Sequence, residues 1–105
     1  MKISQESLKE MARRIVDAVH PEQIILFGSN AWGAPGESSD VDLFIILSQS
    51  TEPSYRRARP VYACLQDMKI PIDVVVKTRN EVEKSRKVAT SLTRKVLNEG
   101  VLLYG

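Results

Sequence analysis

Three short apolar runs, joined by links of unequal length, set what this chain can fold into. The runs are Ile24-Ile25-Leu26-Phe27, Leu43-Phe44-Ile45-Ile46-Leu47 and Ile72-Asp73-Val74-Val75-Val76. Each is short and rich in branched or aromatic side chains, which predicts strands over 23–27, 41–47 and 72–76. Between the second and third runs, about 53–68 reads as helical, with Tyr55, Ala58, Tyr62 and Leu65 at helical spacing. Pro60 must kink or restart that helix, because its ring blocks a continuous hydrogen-bond ladder. A helix between two strands predicts a parallel crossover. The link between the first and second strands permits an antiparallel pair.

Helices bracket these strands. Leu8, Met11, Ala12, Ile15, Val16 and Val19 repeat at the spacing of one helical face over 4–19. Ser4 can cap that helix, Ile3 and Leu8 can staple its start, and Pro21 ends it. After the third strand, Thr78 caps a final helix with Glu81 as its capping-box partner. Ser85, Ala89, Leu92 and Val96 are expected on one face of it. Gly100 is a plausible helix stop. The apolar tail Val101-Leu102-Leu103-Tyr104 could be a sheet edge, a dimer contact or core packing. The expected class is α/β (α+β): a small mixed sheet covered by helices, in a single domain over 1–105. Neither repeats nor an interdomain linker is visible.

Composition narrows the function classes. A chain of 105 residues with 43% apolar content suits one core. No apolar run approaches the roughly 20 residues of a membrane span, and Lys2 leads into a polar segment rather than a signal peptide. Cys64 is the single cysteine, which fits a reducing, cytoplasmic setting and reads as a small buried hydrophobe. A net charge of +2 is too small to argue for direct nucleic-acid binding.

The chemistry lies in three places. Asp40 and Asp42, one residue apart at the head of a strand, point to the same face. Two acids held side by side repel unless a cation sits between them, and a hard, oxygen-seeking ion such as Mg²⁺ suits that role. Gly28-Ser29 follows the first strand and looks like a strand-to-helix turn, with helix over 29–33, whose N–H groups can hold a phosphate. Asp73 interrupts the third apolar run. Buried alone, it would cost several kcal/mol, so it needs a cation, a basic partner or an edge position facing water. Each feature also has a plainer reading: Gly-Ser is a common turn, and Ser-Asp-x-Asp a common cap. Their order along the chain favours a metal–phosphate site.

Gly28-Ser29, a ten-residue gap and Asp40-Val41-Asp42 together resemble the signature of the DNA polymerase beta-like nucleotidyltransferase superfamily, and the small size resembles its minimal members. The resemblance extends over essentially the whole chain, with Asp73 as third acid and the ending Glu99-Gly100-Val101-Leu102-Leu103-Tyr104-Gly105. It implies a nucleotidyltransferase fold, a three-stranded mixed sheet in order 1-2-3 flanked by helices. It implies that Gly28 and Ser29 hold the triphosphate and that Asp40, Asp42 and Asp73 bind two Mg²⁺. Many relatives read Gly-Ser-Arg-Ala-Arg-Gly where this chain has Gly28-Ser29-Asn30-Ala31-Trp32-Gly33. Both arginines, and their positive charge, are gone; Asn30 can still donate a hydrogen bond to nucleotide. Trp32 could stack on a base, meet a partner protein or simply pack against the fold.

With no candidate covalent nucleophile, the expected reaction is in-line transfer of a nucleoside monophosphate from its triphosphate to a hydroxyl; that it is AMP from ATP is what the resemblance implies. The chain is short for an acceptor site of its own. Minimal enzymes of this kind resemble antitoxins paired with HEPN-domain ribonuclease toxins, which implies AMP transfer to a toxin tyrosine. A non-catalytic binding antitoxin and a small-molecule adenylyltransferase are the alternatives. His20 is expected to be a helix-end group. Arg56, Arg57 and Arg59 are expected to form a solvated helix face, as are Lys84, Arg86, Lys87, Arg94 and Lys95.

Overall fold

A computed structural model describes residues 3–31 and 40–105, with the backbone alone at Ser29. The expectations for Trp32 and for the loop over 34–39 lie outside the described residues.

Helix α1 spans Gln5–Val19 and begins as its sequence predicts: the Ser4 hydroxyl accepts the Ser7 N–H. It ends at His20, which turns left-handed (φ 49°) and returns its N–H to Val16. Leu8, Met11, Ala12 and Ile15 form its buried stripe. Strand β1 (Gln23–Phe27) follows and leads into a short 3-10 turn over Gly28–Asn30. Strand β2 is Val41–Leu47. The crossover then restarts at Pro60, giving α2 (Ser54–Arg57) and α3 (Arg59–Leu65). Strand β3 (Ile72–Thr78) runs two residues beyond its expected end. Thr78 and Glu81 form the capping box of α4 (Arg79–Ser85).

The expected single final helix is two helices. The chain leaves α4 after Ser85 and re-enters helix as α5 (Leu92–Glu99). The Ser91 side chain accepts the Arg94 N–H at 3.1 Å and donates to the Ser85 carbonyl at 2.7 Å, stitching the two together. One straight helix of some 20 residues would be about 30 Å long. A seven-residue strand is only about 23 Å long, so a break keeps the helical layer over the sheet. Val82 and Val96 fill the core, while Ala89 and Leu92 stay exposed.

The sheet has four strands rather than three, in the order β3-β2-β1-β4. Strands β1 and β2 are antiparallel, and β2 and β3 parallel, as the connections predict. The apolar tail supplies β4 (Val101–Tyr104), antiparallel to β1, so it is a sheet edge. Gly100 is needed for close approach: a Cβ there would lie 2.6 Å from the Val96 carbonyl and 2.5 Å from the Ile25 side chain.

Alternation along the strands divides the core. Ile24, Leu26, Val41, Leu43 and Ile45 face α1 and α3, against Met11, Ile15, Val61 and Leu65. Ile25, Phe27, Phe44 and Ile46 face α4 and α5, against Val82 and Val96. Among the described residues, no helix is long and apolar enough to cross a membrane.

Candidate active site

Topology gathers the acids at one end of the sheet. Because β1 and β2 are antiparallel, the end of β1 lies beside the start of β2, with Phe27 opposite Asp42. Because β2 and β3 are parallel, their starts lie together, with Asp42 in register with Asp73. Asp42 shares its face with Phe44 and Ile46, so both register-paired carboxylates stand at the end of the α4–α5 face.

Gly28 closes the third side. It sits at φ +79°, where L side chains rarely go, and a Cβ there would collide with the Asp42 carboxylate. The turn after β1 is thus pressed against the second acid, with only a hydrogen's room to spare. The Ser29 side chain lies outside the described residues.

The carboxylates are not equivalent. Asp40 and Asp73 are exposed, Asp73 on the outer strand, so of the three options its sequence left open it takes the edge position facing water. Asp42 is half-buried. Burial first, then the charges of Asp73 and Asp40, push its carboxyl above the usual carboxylate range. Among the described residues, no ion pair reaches any of the three. A half-buried carboxylate repelled by two neighbouring acids, with no ion pair among the described residues, suits a hard divalent cation. The three acids are not closed into a ready-made cage: among the described residues, no three His, Cys, Asp or Glu side chains group tightly enough to hold a metal.

Asn30 makes a contact within the site that its sequence did not reveal. Its side-chain amide donates to the Asp40 carbonyl at 3.0 Å. Two further contacts were not anticipated. The Tyr62 hydroxyl accepts the Val74 N–H at 2.9 Å, on the outer edge of β3 next to Asp73. Arg57 is not on a solvated face: its side chain is only 9% exposed and pairs with Glu81 at 2.7 Å. Helical spacing gave no hint of this, since Glu81 lies beyond the next strand. Arg57 first, then the Thr78 N–H, hold the Glu81 carboxyl down to about 2. Arg56 and Arg59 do reach solvent, stacking over the exposed Tyr55 ring. Cys64 is half-buried rather than buried; its thiol donates to the Val61 carbonyl, and burial pushes its pKa up. His20 is the helix-end group expected of it.

The family model for the nucleotidyltransferase domain matches residues 6–103. The chain belongs to that family. Comparison with curated proteins gives no significant match. Solved structures share the fold of this nucleotidyltransferase. The toxin–antitoxin MntA–HepT crystal structure aligns with TM-score 0.65 at 18% identity, over 97% of this chain and 73% of that one. A toxin–antitoxin structure with AMP-PNP aligns with TM-score 0.63 at 20% identity, over 92% and 73%. A candidate nucleotidyltransferase from Sulfolobus solfataricus aligns with TM-score 0.60 at 21% identity, over 93% and 80%. At these identities the likeness is one of fold.

Proposed function

We propose that this chain is a Mg²⁺-dependent nucleotidyltransferase that moves AMP from ATP to a hydroxyl of a partner protein, a tyrosine of a HEPN-domain toxin, and so acts as an antitoxin. The observation that carries the reading is the register pairing of Asp42 with Asp73 beside Gly28, with no ion pair to either among the described residues, in a nucleotidyltransferase domain. The fold shared with toxin–antitoxin structures supports the choice of partner.

Asp40, Asp42 and Asp73 would hold the metal, and the turn at Gly28, Ser29 and Asn30 would face the triphosphate. Mg²⁺ bound there supplies charge neutralisation for the phosphates and eases loss of the proton from the attacking hydroxyl. Catalysis by the chain itself is positioning. Gly28 holds the phosphate turn against Asp42, and the parallel pairing of β2 with β3 keeps Asp73 level with it. The acceptor oxygen bonds to the α-phosphorus as the bond to the β-phosphate breaks and pyrophosphate leaves.

A second reading, a binding antitoxin with a vestigial site, draws on the open arrangement of the three acids. One experiment separates them: α-labelled ATP with Mg²⁺, with and without the protein encoded beside this one, and an Asp42→Asn control. Label on the partner that depends on Asp42, falling at least about a thousand-fold in the variant (roughly 4 kcal/mol of barrier), is the expected result. A partner bound and inhibited without label would select the binding module. Label on a small alcohol or aminoglycoside instead would make it a small-molecule enzyme.

A further inference from the structure

One peptide group ties the three parts of the site together. The carbonyl of Asp40 and the N–H of Val41 belong to the same planar unit. The carbonyl accepts the Asn30 side-chain amide at 3.0 Å, and the N–H donates to the Pro71 carbonyl at 2.9 Å. Asn30 is the last residue of the turn after β1, and Pro71 lies two residues before Asp73. The plane between Asp40 and Val41 is therefore held from both ends, by the phosphate turn on one side and the lead-in to β3 on the other.

We propose that Asn30 is a positioning residue, whose amide fixes Asp40 through this shared peptide, rather than a ligand of the nucleotide. The inference deepens the proposed activity and rests on it for its purpose, though not for its geometry. Asp42 lies in a strand, paired with Phe27 on one side and Asp73 on the other. Asp40 lies outside β2, so the ladder does not hold it. Its direction depends on the rotation of the peptide that follows it. The Pro71 contact restrains the N–H end and Asn30 the carbonyl end; with both made, the plane cannot swing. Asn30 is itself anchored, because its turn is closed by the Ala31 N–H bonding to the Gly28 carbonyl at 2.9 Å. An amide already donating to backbone has one N–H left, and its oxygen would repel a phosphate. This is the geometry of a clasp.

The test uses the full chain without partner: Asn30→Ala beside wild type, with two measurements. One is amide hydrogen exchange of Val41 in the metal-free protein. The other is the affinity for Mn²⁺, and for ATP in the presence of EDTA. Loss of one such hydrogen bond is expected to speed Val41 exchange and to weaken Mn²⁺ binding, each by about five-fold. ATP binding in EDTA should be unchanged. Asn30→Gln, with its longer reach to the same carbonyl, should recover part of both effects. Unchanged Val41 exchange would overturn the clasp. So would weakened ATP binding in EDTA with exchange unaltered, the signature of a direct nucleotide contact. If wild-type protein binds neither Mn²⁺ nor ATP, the proposed function fails, and the exchange measurement still decides the clasp.

Discussion

The two faces of the sheet are built from the same strands and do opposite things. On the α1–α3 face, Val41 and Leu43 flank Asp42 in sequence, pair with Ile72 and Val74, and lie in a continuous apolar layer. On the α4–α5 face, the column Ile46, Phe44 ends at Asp42, and no apolar residue of β2 continues it. A strand carries both functions because its side chains alternate. The apolar layer holds β2 and β3 level, and that registry brings two like charges together on the other side. The fold supplies the force that keeps Asp42 against Asp73; the carboxylates themselves oppose it.

The comparison breaks first at Leu43 and Gly28. Leu43 is fully buried on the apolar face. Leu43→Ala is expected to cost about 3 kcal/mol, by lost transfer energy and a residual cavity, and to lower Tm by roughly 12–20 °C. Well below that Tm, the folded protein should bind Mn²⁺ as wild type does. Gly28→Ala acts on the acid face. Positive φ costs an L residue about 1–2 kcal/mol, and the new methyl must displace Asp42. The expected result is a smaller loss of Tm with Mn²⁺ binding lost. Calorimetry and metal titration on both variants check the pair. If Gly28→Ala binds Mn²⁺ normally, the turn is not pressed on Asp42.

Why the sequence exposed some of this and not the rest follows from the same alternation. Strands and parallel crossover were legible because short apolar runs and a helical link allow few arrangements; the register that sets Asp42 level with Asp73 was not, because it is fixed between strands. The Ser4 cap, the Thr78–Glu81 capping box and the Pro60 restart were legible because they are local. The fourth strand was legible only as one of three options, since a tail of Val101-Leu102-Leu103-Tyr104 becomes a strand only when β1 offers it an edge. The break between α4 and α5 was hidden because Ala89 and Leu92 continue a helical pattern through residues that solvent takes instead. Arg57 with Glu81, and Asn30 with the Asp40 carbonyl, are contacts between elements, to which spacing along one element is blind. Asp40, Asp42 and Asp73 were chosen as a site from charge and order. The structure places them at one sheet end, Asp40 and Asp73 in solvent and Asp42 half-buried.

A smaller effect tests the outer strand. Glu81 joins the α4 cap to α2 through Arg57, and its carboxyl lies at about 2 against an ordinary 4.5. A depressed folded value means that the contribution is full above about pH 4.5 and fades as pH falls toward 2. Glu81 is partly exposed, so solvent screening leaves about 1 kcal/mol rather than the whole shift. Urea unfolding between pH 7 and pH 3 should show more than half of that loss in wild type, and Glu81→Gln should flatten that part of the curve. An unchanged slope in the variant would assign the acid limb to other carboxylates.

The smallest effect bears most directly on the contrast between faces. Asp42 is half-buried, its carboxyl is raised by burial and by the charges of Asp73 and Asp40, and among the described residues it has no ion pair. A raised folded value means that the charged form is disfavoured by folding, so at neutral pH this residue opposes the fold. Asp42→Asn keeps the shape and removes the repulsion. In metal-free protein its Tm should rise by about 2 °C, what a few tenths of a kcal/mol gives in a chain of this size. In saturating Mn²⁺ the order should reverse, because wild type gains stability from the bound ion and the variant does not. The crossing of the two Tm values as metal is added is the measurement. A variant less stable than wild type in EDTA would mean that Asp42 is held by attraction, and that the two faces differ in composition but not in the sign of what they contribute.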